Sequence, residues 1–212
     1  MKKTLILLTF IMSTIGGWAQ IPAEVTEVMN KCRAAMTNAS GLEYEMDMKA
    51  GIGPVAMKMH FVVADKGKLS RGRITTQILG MDVVNESGFD GTNTWEIKYT
   101  PKGDTITITR GDKRKKDEKL LEIDYDKQYR NAKMKLKDGY YVITFSDPKD
   151  PNNEVKSVTI KISEKSHTLR EMRGGARGAK ITLTVTKIRI GLKDSYFKLD
   201  LAKYPNAVVI RK

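Results

Sequence analysis

The sequence predicts a mainly β protein with some α: a curved antiparallel sheet with an N-terminal helix and a central helical segment against one face. Three observations carry this. Apolar and polar residues alternate through a series of short segments divided by Gly, Asp and Pro turn signals. Helical spacing occurs only near the start and in the middle, and neither a composition shift nor a fixed-period repeat divides the chain. With 212 residues, 40% of them hydrophobic, the chain suits a single core of useful size.

The first element is an export signal. Lys2 and Lys3 precede an apolar run from Leu5 to Ile15, and Gly17 and Ala19 stand at the small-residue positions of a cleavage site, so cleavage is expected after Ala19. As a helix the run would rise only roughly 20 Å, short of the ~30 Å hydrocarbon core, which marks a removable signal and not a span. Position 20 is Gln, where a lipid-modified start would need Cys. The expectation is therefore a signal peptide over 1–19, a single domain over 20–212 and a periplasmic location. Cleavage removes two lysines and no acid, so the formal charge falls from +13 to +11.

A helix over 23–38 follows, with Val25, Val28, Met29, Cys32, Ala35 and Met36 at spacings of three and four. Gly41 is placed to end it in the left-handed conformation. Cys32 falls on the apolar stripe and reads as a small buried hydrophobe. From Leu42 the period becomes two. Leu42, Tyr44, Met46 and Met48 alternate with Glu43, Glu45, Asp47 and Lys49, whose charges suit a solvated outer face.

The turn at 51–54 leads into Val55, Met57, Met59, Phe61 and Val63, completing a hairpin with a Met-rich face. Strands then follow over 69–79, from Gly80 through Val84, over 94–99 with Trp95, Ile97 and Tyr99 on one face, and over 105–109. The alternation breaks between 110 and 131. There Lys113-Arg114-Lys115-Lys116 precedes Leu120, Leu121, Ile123, Tyr125 and Tyr129, a pattern of one or two short amphipathic helices. Strands resume over 132–136, 140–145, 156–163, 169–173 and 180–186, for a total of about ten to eleven.

No catalytic or metal motif is present. The chain lacks nucleophile-elbow, zinc-protease, Walker, dinucleotide and paired-cysteine patterns, and its two histidines, His60 and His167, stand apart as solvated imidazoles. No catalytic residue, metal site or cofactor is expected. The net charge of +13 suggests nucleic acid at first, but an exported chain does not meet it, and the basic stretches lack the interleaved aromatics of a stacking platform. Anionic headgroups or an acidic envelope protein are the expected partners of that charge. The Met-rich hairpin is the most informative feature, because Met adapts to irregular or exchangeable apolar partners where Ile or Val would fix one packing.

Several segments resemble the periplasmic outer-membrane lipoprotein carrier superfamily, LolA-like, over most of the mature chain. These are the signal and first helix, then Asp90-Gly91-Thr92-Asn93-Thr94-Trp95, the stretch over 125–145 with its Asp-Gly turn, and the end from Phe197 through Tyr204-Pro205-Asn206-Ala207 to Lys212. The last of these looks like a terminal strand followed by a proline-containing tail. The resemblance implies an incomplete β-barrel under a helical lid, and a non-enzymatic carrier that shields lipoprotein acyl chains for transfer to the outer membrane. An envelope lipid-binding sensor or regulatory module of the same fold is the alternative. On this resemblance the cavity residues are Met46, Met48, Met57, Met59, Trp95 and Ile97, and the lid residues Leu120, Leu121, Tyr125 and Tyr129. The family's latching arginine belongs to an Arg-Pro stretch followed by a tryptophan-containing pair, and 66–73 departs from that pattern, with no proline or tryptophan; Arg71 and Arg73 are the candidates for a lid latch there. The implied partners are acylated lipoproteins or lipids and the inner- and outer-membrane transfer machinery, met as a monomer.

Overall fold

The computed structural model describes residues 21–36, 40–52, 55–78, 81–101, 103–113 and 124–212. Helix α1 (Ala23–Ala35) comes first, its N-terminal boundary set by Pro22, and it ends three residues earlier than its periodicity suggests. Strands β1 (Leu42–Ile52), β2 (Val55–Lys66), β3 (Leu69–Ile78), β4 (Met81–Phe89), β5 (Asn93–Lys98) and β6 (Thr105–Arg110) form a meander. A four-residue helix, α2 (Tyr125–Gln128), precedes β7 (Tyr129–Lys137), β8 (Tyr140–Pro148), β9 (Ser157–Ser163), β10 (Leu169–Ala176) and β11 (Ala179–Ile190). Two 3-10 turns, Asp194–Phe197 and Leu201–Lys203, lead to β12 (Val208–Arg211).

Among the described residues twelve strands join one sheet, in the order β12-β6-β5-β4-β3-β2-β1-β11-β10-β9-β8-β7. Every pairing is antiparallel except β12 with β6. The two ends, β12 and β7, are not joined, so the sheet is an unclosed barrel wall. Its registers are pinned by tight turns. At the β7–β8 hairpin, Asp138 (φ 53°) and Gly139 (φ 75°) form the Asp-Gly turn legible in the sequence, with Lys137 opposite Tyr140. The expected terminal strand near Phe197 is a 3-10 turn instead, because this stretch lies across the sheet and not in its ladder; the closing strand is β12.

The sheet has a core on each face. On one face Val25, Val28, Met29 and Cys32 of α1 pack against Met46, Phe61, Ile143, Phe145, Ile160 and Leu183. Burying those four helix side chains contributes roughly 2 kcal/mol each. On the opposite face Trp95, Ile97 and Ile106 are covered by Leu199, Leu201, Tyr204 and Ala207. Residues 192–207 thus form a strap that carries the chain from the end of β11 across to β12.

Candidate functional site

The helix-bearing face divides into a filled part and an open part. Where α1 lies, Val25, Met29 and Cys32 are fully buried, and burial pushes the Cys32 thiol up to about 12, so it stays protonated. Arg33 holds the end of α1 to α2, with its guanidinium forked onto the Asp126 carboxylate at 2.8 and 3.0 Å and reaching Asp124 at 3.3 Å. Beyond the helix, register sets side chains in rows: Met46 beside Phe61 beside Ile74, then Met48 beside Met59 beside Thr76 beside Val83. Met46 is buried and Met48 and Met59 are half-buried. Met57, Val83 and Met81 stand 43%, 41% and 66% exposed. Together they make an apolar strip continuous with the core at the tips of β1–β4.

Trp95 and Ile97 do not belong to this strip. Trp95 pairs with Gly88 and Ile97 with Glu86, and both lie on the opposite face, beneath the strap. The expectation of one shared face with the methionines is corrected by strand parity: Arg71 and Arg73 of β3 carry this face across to Gly88 and Glu86, while Ile74 carries the other. A Cβ on Gly88 would meet the Trp95 ring at 2.5 Å, so glycine is what lets the indole lie flat on the sheet.

The opposite face also holds a buried ion-pair network. The Glu43 and Glu86 carboxylates are each only 3% exposed, which corrects the reading of Glu43 as solvated. Arg189 donates to both oxygens of Glu43 at 2.6 Å, and the Tyr196 hydroxyl adds a third short bond. Burial alone would raise the Glu43 carboxyl, yet the Arg189 and Tyr196 hydrogen bonds outweigh it and hold the pKa below the ordinary value. Arg71 binds Glu86 through Nε at 2.7 Å and through Nη2, and donates Nη1 to the Tyr196 carbonyl at 2.8 Å. Its guanidinium lies 5.6 Å from the Trp95 ring centre and 5.1 Å from that of Tyr196.

Two more side chains reach strap carbonyls: Trp95 Nε1 to Phe197 at 3.3 Å and Lys66 Nζ to Leu192 at 3.0 Å. Arg71 is therefore a latch, but for the strap. Its side chain is on the face away from Tyr125 and Tyr129, and Arg73 stacks over Tyr99 at 5.9 Å.

Of the expected lid, Leu120 and Leu121 lie outside the described residues. Tyr125 is half-buried, with its hydroxyl on the Met172 sulfur at 2.6 Å. Tyr129 is corrected from a helical lid position to the first residue of β7, 1% exposed and bonded through its hydroxyl to the Val155 carbonyl at 2.8 Å. Antiparallel pairing with β8 competes successfully with helix from that residue onward. The residues that sequence alone missed are Met81 and Val83; they continue the Met57–Met59 alternation once the β2–β3–β4 registers are known.

No family model matches the chain, and no curated protein matches it in sequence. Among solved structures, an uncharacterized conserved protein from Thermus thermophilus superposes with a TM-score of 0.50 at 9% identity, over 89% of this chain and 99% of that one. Twelve strands in one unclosed, almost wholly antiparallel sheet, with the N-terminal helix on one face, is the architecture of an incomplete barrel. The Thermus protein and this chain share that fold. A LolA superfamily protein from Nitrosomonas europaea aligns at 10% identity over 82% of this chain and 97% of its own, with a TM-score of 0.37. MucB in the Pseudomonas aeruginosa MucA/MucB complex aligns at 9% identity over 84% of this chain and 62% of that one, with a TM-score of 0.47. Likeness at such identities concerns the fold alone, and function has to be argued from the site.

Proposed function

We propose that this is an exported periplasmic carrier that shields the acyl chains of lipoproteins on the helix-bearing face of its sheet. The observation supporting it is the exposed strip of Met57, Met81 and Val83, which runs through half-buried Met48 and Met59 into the core. An acyl chain laid along the strip gains ~0.8 kcal/mol per buried methylene, and flexible thioethers suit chains of varied length and saturation. Met46 forms the floor of this site; Trp95 and Ile97 act from the other face as support for the strap. The proposal includes a signal peptide cleaved after Ala19, a monomeric mature protein, no catalytic chemistry, and hand-over between inner- and outer-membrane lipoprotein-transfer machinery.

A second reading is an envelope sensor or regulatory module of the same fold. It is favoured by α1, whose fully buried Val25, Met29 and Cys32 fill the part of the face where a carrier would need space. Native mass spectrometry of protein purified from the exporting cell, with titration of a fluorescent fatty acid, separates the two. The carrier reading expects an acylated species and probe binding that falls about tenfold or more in a Met57→Lys/Met81→Lys variant of unchanged fold. No acylated mass together with no probe binding overturns it in favour of the second.

A further inference from the structure

The face opposite α1 carries a second surface, between the strap and the free edge at β7. Two adjacent rows of side chains cross seven strands there. The first reads Lys133, Thr144, Thr159, Arg173, Thr182, Lys49, Lys58 from β7 to β2, and the second Lys135, Val142, Lys161, Glu171, Thr184, Asp47, His60. Six Lys or Arg thus face two carboxylates. Both carboxylates are already engaged: Glu171 with Lys161 and Arg173 at 3.2 and 2.8 Å, and Asp47 with His60 at 2.8 Å. The exposed Lys49, Lys58, Lys133 and Lys135 have no carboxylate partner among the described residues. At ~4.8 Å between strands the rows extend roughly 29 Å.

We infer that this basic sheet face docks on an anionic lipid bilayer. Its charge complements acidic headgroups, each Lys near such a surface adding to affinity. Its makeup suits a bilayer better than a protein: the unpaired cations are all lysines, which are depleted at protein interfaces, and no buried aromatic anchor interrupts them. At one corner Tyr140, beside Lys137 in the next row, is 37% exposed on the same face, an amphipathic ring of the kind that settles at headgroup depth. Docking this way leaves the apolar strip pointing away from the bilayer, so the inference stands apart from acyl binding.

Flotation of the mature protein with vesicles tests it, using phosphatidylcholine alone and with about 30% phosphatidylglycerol. Binding is expected only to the anionic vesicles, weakening as salt rises from about 0.05 to 0.5 M. The Lys58→Gln/Lys133→Gln/Lys135→Gln variant should lose about 100-fold in affinity. A control variant that removes the same number of charges elsewhere, Lys31→Gln/Lys98→Gln/Lys127→Gln, should stay within about threefold of the parent, because charges beyond a Debye length are screened. Equal loss in both variants overturns the site, as does anionic binding that the first variant retains. Absence of vesicle binding, with or without salt-sensitive retention on a polyanionic protein, overturns membrane docking. Unchanged circular dichroism in both variants keeps each result interpretable.

Discussion

One guanidinium joins two layers of the protein: Arg71 binds the buried Glu86 carboxylate through Nε at 2.7 Å and the Tyr196 carbonyl through Nη1 at 2.8 Å. Arg71 holds the strap by its main chain, while Tyr196 on Glu43 and Leu199, Leu201 and Tyr204 over Trp95 and Ile97 hold it by side chains.

Replacing Arg71 with Ala leaves Glu86 buried without its cation and frees Tyr196. Stability should fall by about 2–4 kcal/mol, seen as a lower urea midpoint. Hydrogen exchange should accelerate over residues 192–207 before the rest of the sheet. Uniform acceleration across all strands would show that the strap is not held separately.

Acid should weaken the same region. The Glu43 carboxyl is depressed in the folded protein below the ordinary value of 4.5 by Arg189 and Tyr196, so between the two values the unfolded chain binds more protons. Its contribution is complete above the unfolded value and disappears as pH falls through the folded one. Melting temperature should therefore drop from about pH 5 towards pH 3, and less steeply in Glu43→Gln, which is destabilised at pH 7. Parallel slopes for the two proteins would remove Glu43 from the account.

At Gly88 even one methyl group meets the Trp95 ring at 2.5 Å and the Ser70 carbonyl at 2.6 Å. Gly88→Ala should cost about 1–3 kcal/mol and shift the Trp95 fluorescence as the indole is pushed from its place. A variant as stable as the parent, with unchanged emission, would show that the β4–β5 pair absorbs the methyl group.

Cys32 should resist alkylation. Its thiol is fully buried and raised to about 12, so at pH 8 almost none is thiolate. Iodoacetamide is expected to modify it only in denaturant; rapid labelling of native protein would reveal opening of α1 from the sheet.

The alternations were legible because strand faces differ in polarity where one face meets water. Leu42, Tyr44, Met46 and Met48 follow that rule, and so do the tight turns, whose Asp-Gly and Gly-Lys pairs set hairpin register. The rule failed at Trp95 and Ile97. Both are apolar because Leu199, Leu201 and Tyr204 cover them from residues about 100 positions away, a pairing that local period cannot carry. Glu43 failed for the same reason, since a charge that alternates with Leu42 and Tyr44 looks solvated until Arg189 and Tyr196 enclose it.

Local chemistry in the chain therefore determined the class of the protein: a helix by its stripe of Val25, Val28, Met29 and Cys32, then strands by period two and hairpins by turn residues. Which face each strand turns to which partner was decided only in three dimensions. Side-chain alternation offers two equivalent faces, and the choice between them rests on long-range contacts. Here α1 covers one side of the sheet and a C-terminal strap covers the other, leaving Met57, Val83 and Met81 open on the first and a lysine-rich field open on the second.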